Sequence, residues 1–391
     1  MASRSILVVL HAALFTAPAC ALRTEVDPPA QVTAVSPDQS PLPPFDPPED
    51  GAEAMNTEYY LGSADEEAAL FAAFARKIAS IQDRQAGSHD QPVQRGFHAK
   101  AHGCLTGWLQ LFPDRDPRTR FGAFADAPAG AWPLWARFSN GVGWQQGDRE
   151  LDARGMAIKL MGVPGTKLID EERGTQDFLM TNAPTPVGRD ATDFMAFADA
   201  NSRGKLPGFG FALTHPRHGA NALMETGPIA SMAAEQYWGG GAFHLGAHQA
   251  VKITARPCSF ARKRDPDGSG PDRLRADLEA AARAGFCFNF YVQFQSDPFR
   301  TPIEDASREW LEADAPLVPV GRIVFPPQDI TGEARAAMCK QLSYNPWHAI
   351  AAHQPMGHIN RARRFVYSAS RAHRKGGFEP TSFAVPEPAK K

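Results

Sequence analysis

Two residues near the C-terminal end of the chain have the types and the spacing to bind iron. Arg363 and Tyr367 are four positions apart, so they share one face if this segment is a helix. The phenol of a tyrosine is a poor ligand at neutral pH, but a neighbouring guanidinium favours the phenolate through charge and hydrogen bonding. Phenolate is a hard, anionic oxygen donor that suits ferric iron. Taken alone, the pair does not decide between iron ligation by Tyr367 and a solvated basic helix with surface packing, and both stay open at this point.

A second candidate group lies early in the chain, where His98 and His102 are four positions apart. An imidazole titrates near neutral pH and serves as a general acid and base or as a metal ligand. Two histidines at this spacing on a helix form a zinc pair in some proteins, but no His-Glu-x-x-His arrangement occurs here, and Gly103 indicates a short element. A zinc site is therefore kept as an alternative.

The elements that must position these residues are strands first and helices later. Period-two or short apolar runs predict strands, at Leu109–Leu111, Leu134–Phe138, Met156–Met161, Phe178–Met180, Val251–Ala255, Phe286–Phe294 and Arg322–Phe325. Apolar stripes and capping residues predict helices, at Ala64–Ile81, Asp190–Ala200, Asp272–Ala284, Glu333–Leu342 and Gly357–Lys375. Many strands with helical excursions indicate an α+β protein with an antiparallel sheet or barrel and attached helices.

Composition and local bias divide the chain into four parts. Positions 1–21 have the pattern of a signal peptide, positions 22–54 form a Pro-rich linker, positions 55–380 the folded domain, and positions 381–391 a disordered tail. The apolar run of the predicted signal peptide, Ile6 to Phe15, is too short for a stable membrane span. We therefore expect a secreted or periplasmic protein, with lipidation at Cys20 as the alternative. A net charge of −2 argues against nucleic-acid binding.

The four cysteines beyond the predicted signal peptide contain no Cys-x-x-Cys pair, which argues against a cysteine metal site. Export permits disulfides without requiring them. We expect separate buried thiols at Cys104, Cys258, Cys287 and Cys339.

Six short blocks, taken together, resemble the sequence signatures of the catalase superfamily. They follow the family's order and cover roughly Gln94 to Arg374. The blocks are Arg95–Lys100, Arg137–Ser139, Arg154–Lys159, Asp177–Asn182 with its following Arg-Asp pair, Pro302–Ala306, and Arg363–Tyr367. The resemblance implies an α+β fold with an antiparallel β-barrel core and attached helices, lacking an added C-terminal domain.

The resemblance also implies a role for each matching position. Tyr367 would be the proximal ligand of a haem b iron, held as phenolate by Arg363. His98 would be the distal acid and base, supported by Ser139, and Asn182 would position the peroxide. Asn182 is followed by Ala-Pro-Thr-Pro rather than the family's Thr-Pro, so its register can differ by one or two residues.

Four more residues would contact the cofactor. Arg95, Arg137 and Arg374 would pair with the haem propionates, and Phe194 would lie against the haem face. The chain looks most like the minimal catalase-related peroxidases. This implies a haem peroxidase or catalase that reduces hydrogen peroxide or organic hydroperoxides through a ferryl state, using an unidentified electron donor. A hydroperoxide isomerase or dehydratase and a non-catalytic haem-binding protein stay open, as does homo-oligomerisation.

Overall fold

A computed structural model gives the fold of most of the predicted domain. The predicted signal peptide, linker and C-terminal tail lie outside the described residues. No helix within the described part is long and apolar enough to cross a membrane. The structure describes residues 60–169, 174–216, 219–221, 226–259, 270–375 and 380.

Within the described residues, nine strands form a single antiparallel sheet. Every strand predicted from the sequence is present, and most are longer than the apolar run that indicated them. The strands are β1 (Ala101–Leu111), β2 (Ala131–Asn140), β3 (Arg154–Met161), β4 (Thr175–Thr181), β5 (Tyr237–Gly239), β6 (Phe243–Leu245), β7 (Gln249–Pro257), β8 (Phe286–Phe294) and β9 (Leu317–Phe325).

The sheet closes on itself. Its order is β5-β4-β3-β2-β1-β9-β8-β7-β6, and β5 also pairs with β7, so eight strands make a barrel and β6 extends from β7. Closure leaves no unpaired edge among those eight strands. The predicted α+β class with an antiparallel barrel core is confirmed.

Aromatic side chains fill the barrel. Phe138, Phe178, Phe288 and Phe290 are fully buried, and the Phe178 and Phe290 rings have centroids 5.9 Å apart. Successive residues of a strand point to opposite faces. The residues that alternate with these phenylalanines therefore lie on the outside of the barrel, where helices cover them.

The helices lie on the outer surface, and two of them, α1 and α6, pack against each other. Helix α1 begins with the predicted capping box of Ser63 and Glu66 and runs eight residues beyond the predicted Ile81. Arg361 on α6 forms ion pairs of 2.8 Å with Glu67 on α1 and with Glu304. The helices are α1 (Ala64–His89), α2 (Ala191–Ser202), α3 (Lys205–Thr214), α4 (Arg273–Ala284), α5 (Glu333–Gln341) and α6 (His358–His373).

The prediction of four separate thiols is wrong, because the structure contains two disulfides. Cys104 on β1 is bonded to Cys339 on α5, with Cα atoms 5.6 Å apart. Cys258 is bonded to Cys287 on β8, with Cα atoms 5.5 Å apart. Sequence spacing could not reveal these pairs, since their partners are brought together by strand pairing and by the docking of α5 on the barrel.

Candidate active site

A slot lies between the outer face of the barrel and helix α6. It encloses about 890 Å³ of atom-free space, part of it open to solvent. Its floor is a patch of sheet made of two rows of cross-strand neighbours on β2, β3 and β4. The rows are Ser139–Gly155–Thr181 and Arg137–Ala157–Leu179.

One stripe of helix α6 forms the roof of the slot. Its members recur at alternating intervals of three and one, so that residues three and four apart share a single helix face. The Arg363 guanidinium lies 6.0 Å from the centroid of the Tyr367 ring, and its Nη1 donates to Asn360 Oδ1 at 2.9 Å. The roof residues are Arg363, Val366, Tyr367, Ser370, Arg371 and Arg374.

His98 stands over the floor. It lies in the loop before β1 in a left-handed backbone conformation, φ 57°, which is uncommon for a residue other than glycine. The conformation is held because His98 N donates to Gly141 O at 2.7 Å and Arg137 Nη2 donates to His98 O at 2.8 Å. Residues held in such conformations cluster at functional sites.

The imidazole of His98 rests directly on Gly155. A Cβ atom at Gly155 would lie 2.7 Å from both Nδ1 and Cε1 of the ring, so only glycine leaves room for it. His98 Nδ1 is 3.1 Å from Ser139 Oγ, and this contact fixes the ring orientation. Burial, followed by repulsion from Arg137, lowers the pKa of His98 to about 4. The imidazole is therefore neutral at pH 7 and can accept a proton.

One end of the slot is cationic. Burial, followed by repulsion from Arg137 and Arg374, lowers the pKa of Arg95, and burial lowers the pKa of Arg137 to about 10. Arg95 donates to the backbone oxygen of Leu342. No carboxylate of the described residues pairs with Arg95 or Arg137, and the Arg137 Nε has no hydrogen-bond partner there.

The floor presents Thr181 to the slot, whereas Asn182 is not among the lining residues. Asn182 Oδ1 accepts a hydrogen bond from the backbone N of Arg154 at 2.7 Å, so this side chain caps the end of the β3–β4 ladder. Asn182 does not face the slot as Thr181 does, because neighbouring residues on a strand point to opposite faces.

Phe194 also stays outside the slot lining. It lies on α2 behind Phe97, with ring centroids 5.2 Å apart, and Phe97 itself lines the slot. Phe194 therefore supports the wall of the slot through Phe97.

The helical histidine pair considered from the sequence does not exist. His98 lies in a loop, while His102 lies in β1 and its Nε2 is 2.7 Å from Asn140 Oδ1. Across the described residues, no group of three or more His, Cys, Asp or Glu is arranged to hold a metal ion.

Several lining residues were not identified from the sequence. Arg371 follows Arg363 by eight positions, so helical spacing could have placed it on the roof. Thr181 could have been found by extending the alternation of β4. Ser343 and Tyr344 follow α5 and close one side of the slot, and no local pattern indicates that position.

Comparison with known proteins identifies solved structures of similar architecture. No protein-family model matches the sequence, and no curated protein is detectably similar to it. Solved structures do match: a fungal catalase (18% identity, TM-score 0.57, covering 73% of this chain and 60% of that one), catalase A from Saccharomyces cerevisiae (19%, 0.57, 73% and 62%) and a bacterial catalase (18%, 0.58, 88% and 69%). The chain has a catalase-like fold.

This likeness agrees with the predicted fold. The chain spans about 60% of the length of the fungal catalase, so its activity and substrates do not follow from the likeness. They have to be argued from the slot.

Proposed function

We propose that the chain binds haem b in the slot through Tyr367 and reduces hydrogen peroxide or organic hydroperoxides. The observation that carries this proposal is the composition of one slot, with a phenol on its roof, an imidazole on its floor and guanidinium groups at one end. The small residues Gly155 and Ala157 leave room on the floor for the imidazole of His98 and for a large ligand beside it. Phenolate oxygen is an established donor to haem iron.

The cationic end fits the carboxylates of a haem. Buried charges are normally paired, yet the described residues offer no carboxylate to Arg95 or Arg137. Two propionates entering from this side would supply that charge. Arg374, which donates to Lys340 O at 3.2 Å, lies at the same end of the slot, because it is among the charges that lower the pKa of Arg95.

His98 would move the proton during cleavage of the peroxide. Its Nδ1 is within hydrogen-bond distance of Ser139 Oγ. Nε2 would then take the proton from one peroxide oxygen and return it to the departing oxygen. When bound, ferric haem supplies the two electrons that O–O cleavage consumes. A second hydrogen peroxide molecule or an external donor of unidentified chemistry would return them. The Arg363 guanidinium lies 6.0 Å from the centroid of the Tyr367 ring, so the proposed iron ligand has a positive charge beside it.

We also propose that the protein works in an oxidising compartment. Two disulfides within one chain are typical of exported proteins and rare in the cytosol. They support the expectation of a secreted or periplasmic protein. A thiol count on protein isolated from the periplasm and from the cytoplasm would test this, since only the oxidised form should lack free thiols.

The deciding experiment is hemin titration of purified wild-type protein and of Tyr367→Phe, followed by peroxide turnover in His98→Ala. We expect wild-type protein to develop a Soret band and Tyr367→Phe to change the ferric spectrum, because the oxygen ligand is lost. Tyr291→Phe, a change on β8 outside the slot lining, is the matched control and should resemble wild type. An unchanged ferric spectrum in Tyr367→Phe would remove that residue as the ligand.

His98→Ala should keep its haem and lose roughly 10²- to 10⁴-fold in peroxide turnover, the usual contribution of a positioned acid and base. A haem carrier would show no turnover in either form. Assays with and without an added electron donor separate peroxidase activity from isomerisation, which needs no donor.

A further inference from the structure

Three residues of the floor form a row beneath His98. Ser139 pairs with Gly155 across β2 and β3, and Gly155 pairs with Thr181 across β3 and β4. Directly opposed residues of antiparallel strands have Cα atoms about 4.5–5.5 Å apart, so the row places a hydroxyl on each side of the glycine that carries the imidazole.

The orientation of the imidazole gives the two hydroxyls different tasks. Nδ1 of His98 lies 3.1 Å from Ser139 Oγ, and Nδ1 and Cε1 are the ring atoms nearest to Gly155. Nε2, beyond Cε1, is the ring nitrogen that Ser139 does not contact. Thr181 stands on the other side of Gly155 from Ser139 and lines the same slot.

The hydroxyl of Thr181 is only weakly engaged within the protein. Its contact is to the backbone oxygen of Ala183 at 3.4 Å, which is longer than the roughly 2.5–3.0 Å of a good O–H···O hydrogen bond. The hydroxyl can rotate to a ligand at little cost. The Asn182 side chain is fixed in a different way, since its Oδ1 accepts from the backbone N of Arg154 at 2.7 Å and the residue is not among those that line the slot.

The floor residues next to Thr181 are apolar. Leu179 lies two positions earlier on the same face of β4, and Ala157 is the cross-strand partner of Leu179. An alkyl group placed on this part of the floor would meet hydrocarbon.

On the basis of the proposed function, we propose that Thr181 is the second polar contact of the bound peroxide and makes the site selective for alkyl hydroperoxides. An alkyl hydroperoxide has one O–H, which it gives to His98, and an oxygen that accepts the single proton of the Thr181 hydroxyl. Its alkyl group lies against Leu179. Hydrogen peroxide has no alkyl group to place against Leu179 and so gains nothing from that contact.

Thr181→Val tests the hydroxyl, because valine keeps the shape of the side chain and removes its proton. We expect unchanged hemin affinity and Soret band, about tenfold weaker cyanide binding to the ferric protein, and about tenfold lower kcat/KM for tert-butyl hydroperoxide, the effect of one hydrogen bond. Cyanide affinity is the readout that does not depend on turnover.

Thr181→Asn tests the selectivity. An amide offers two N–H donors and an acceptor, so the ratio of kcat/KM for hydrogen peroxide to that for tert-butyl hydroperoxide should rise. A ratio equal to that of wild type would contradict the assigned selectivity. Asn182→Ala tests whether Thr181 or its neighbour Asn182 contacts the ligand. Loss of the strand-end contact can lower stability, but cyanide affinity should stay within about twofold of wild type.

The outcomes separate this inference from the proposed function. Wild-type protein that takes up no hemin overturns both. Wild-type protein that binds hemin and cleaves hydroperoxide, with Thr181→Val equal to it in cyanide affinity and kcat/KM, overturns the role of Thr181 alone. That role is also overturned if Asn182→Ala shows the loss expected of Thr181→Val.

Discussion

The floor and the roof of the slot are built in opposite ways. The floor is a patch of barrel wall with one charged residue, Arg137, among small or neutral ones around the imidazole of His98, and its shape is fixed by the pairing of three strands. The roof is one face of α6 that presents a phenol among several guanidinium groups. Under the proposed function, the floor would set the geometry of proton transfer and the roof would supply the iron ligand.

The two sides also differ in their tolerance of a shift. A one-residue slip on a strand sends a side chain to the other face of the sheet, and Asn182 and Thr181 illustrate this. A helix face is wider, since residues three, four, seven and eight apart share it. Changes on the floor should therefore act sharply on turnover, and changes around the roof should act on haem retention.

Gly155→Ala is expected to give the largest effect on the floor. Its Cβ would lie 2.7 Å from the imidazole of His98, and the ring would have to leave Ser139. A displacement of about 1 Å can cost on the order of 100-fold in rate, so peroxide turnover should fall by that order while hemin affinity and Soret band stay as in wild type.

The control for this change is Gly87→Ala, at a glycine of α1 with no atom within 4 Å of the added Cβ. Both variants should have similar thermal stability. Wild-type turnover in Gly155→Ala would show that the contact between His98 and Gly155 does not set the geometry of the reaction.

The contrast between floor and roof explains how much of the slot could be predicted from the sequence. Seven of the eight barrel strands, the roof helix and the Arg363–Tyr367 pair could be predicted because periodicity and spacing determine them, whereas Arg374 was assigned from the family resemblance. The three-residue strands β5 and β6 were not predicted, although β5 closes the barrel. His98 and Ser139 were likewise identified from short motifs, and both line the slot.

What the sequence did not reveal depends on contacts between distant segments. The Cys104–Cys339 bond joins residues 235 positions apart, and Tyr344 reaches the slot only because α5 packs on β1. The register of Asn182 could not be fixed for a different reason, since no local signal marks the residue at which β4 stops facing the slot, and its role stays a prediction.

The pH dependence of turnover should report the buried position of His98. Burial, with the charge of Arg137, lowers its pKa to about 4, whereas a solvated histidine has a pKa of about 6.5. The neutral form accepts the proton, so kcat/KM should stay level from pH 8 to about pH 5 and fall about tenfold per pH unit below about pH 4. Circular dichroism at each pH separates this from acid unfolding. Loss with a midpoint near 6.5 would show that His98 is solvated or is not the base.

The smallest expected effect concerns the side of the slot where floor meets roof. The Cys104–Cys339 bond fixes α5 to β1, and directly after α5 the backbone oxygen of Leu342 accepts from Arg95 while Ser343 and Tyr344 line the slot. Replacing both cysteines by alanine should accelerate hemin loss to apomyoglobin several-fold, because this wall is held less firmly.

The second disulfide provides the matched control. Cys258–Cys287 ties the end of β7 to the start of β8, and neither cysteine lines the slot. Each double variant should lose stability on the scale of about 2–5 kcal/mol that is typical of a native disulfide, but only the variant lacking Cys104 and Cys339 should release hemin faster. Equal release from both would mean that haem retention follows global stability, and the wall after α5 would then have no separate part in holding the cofactor.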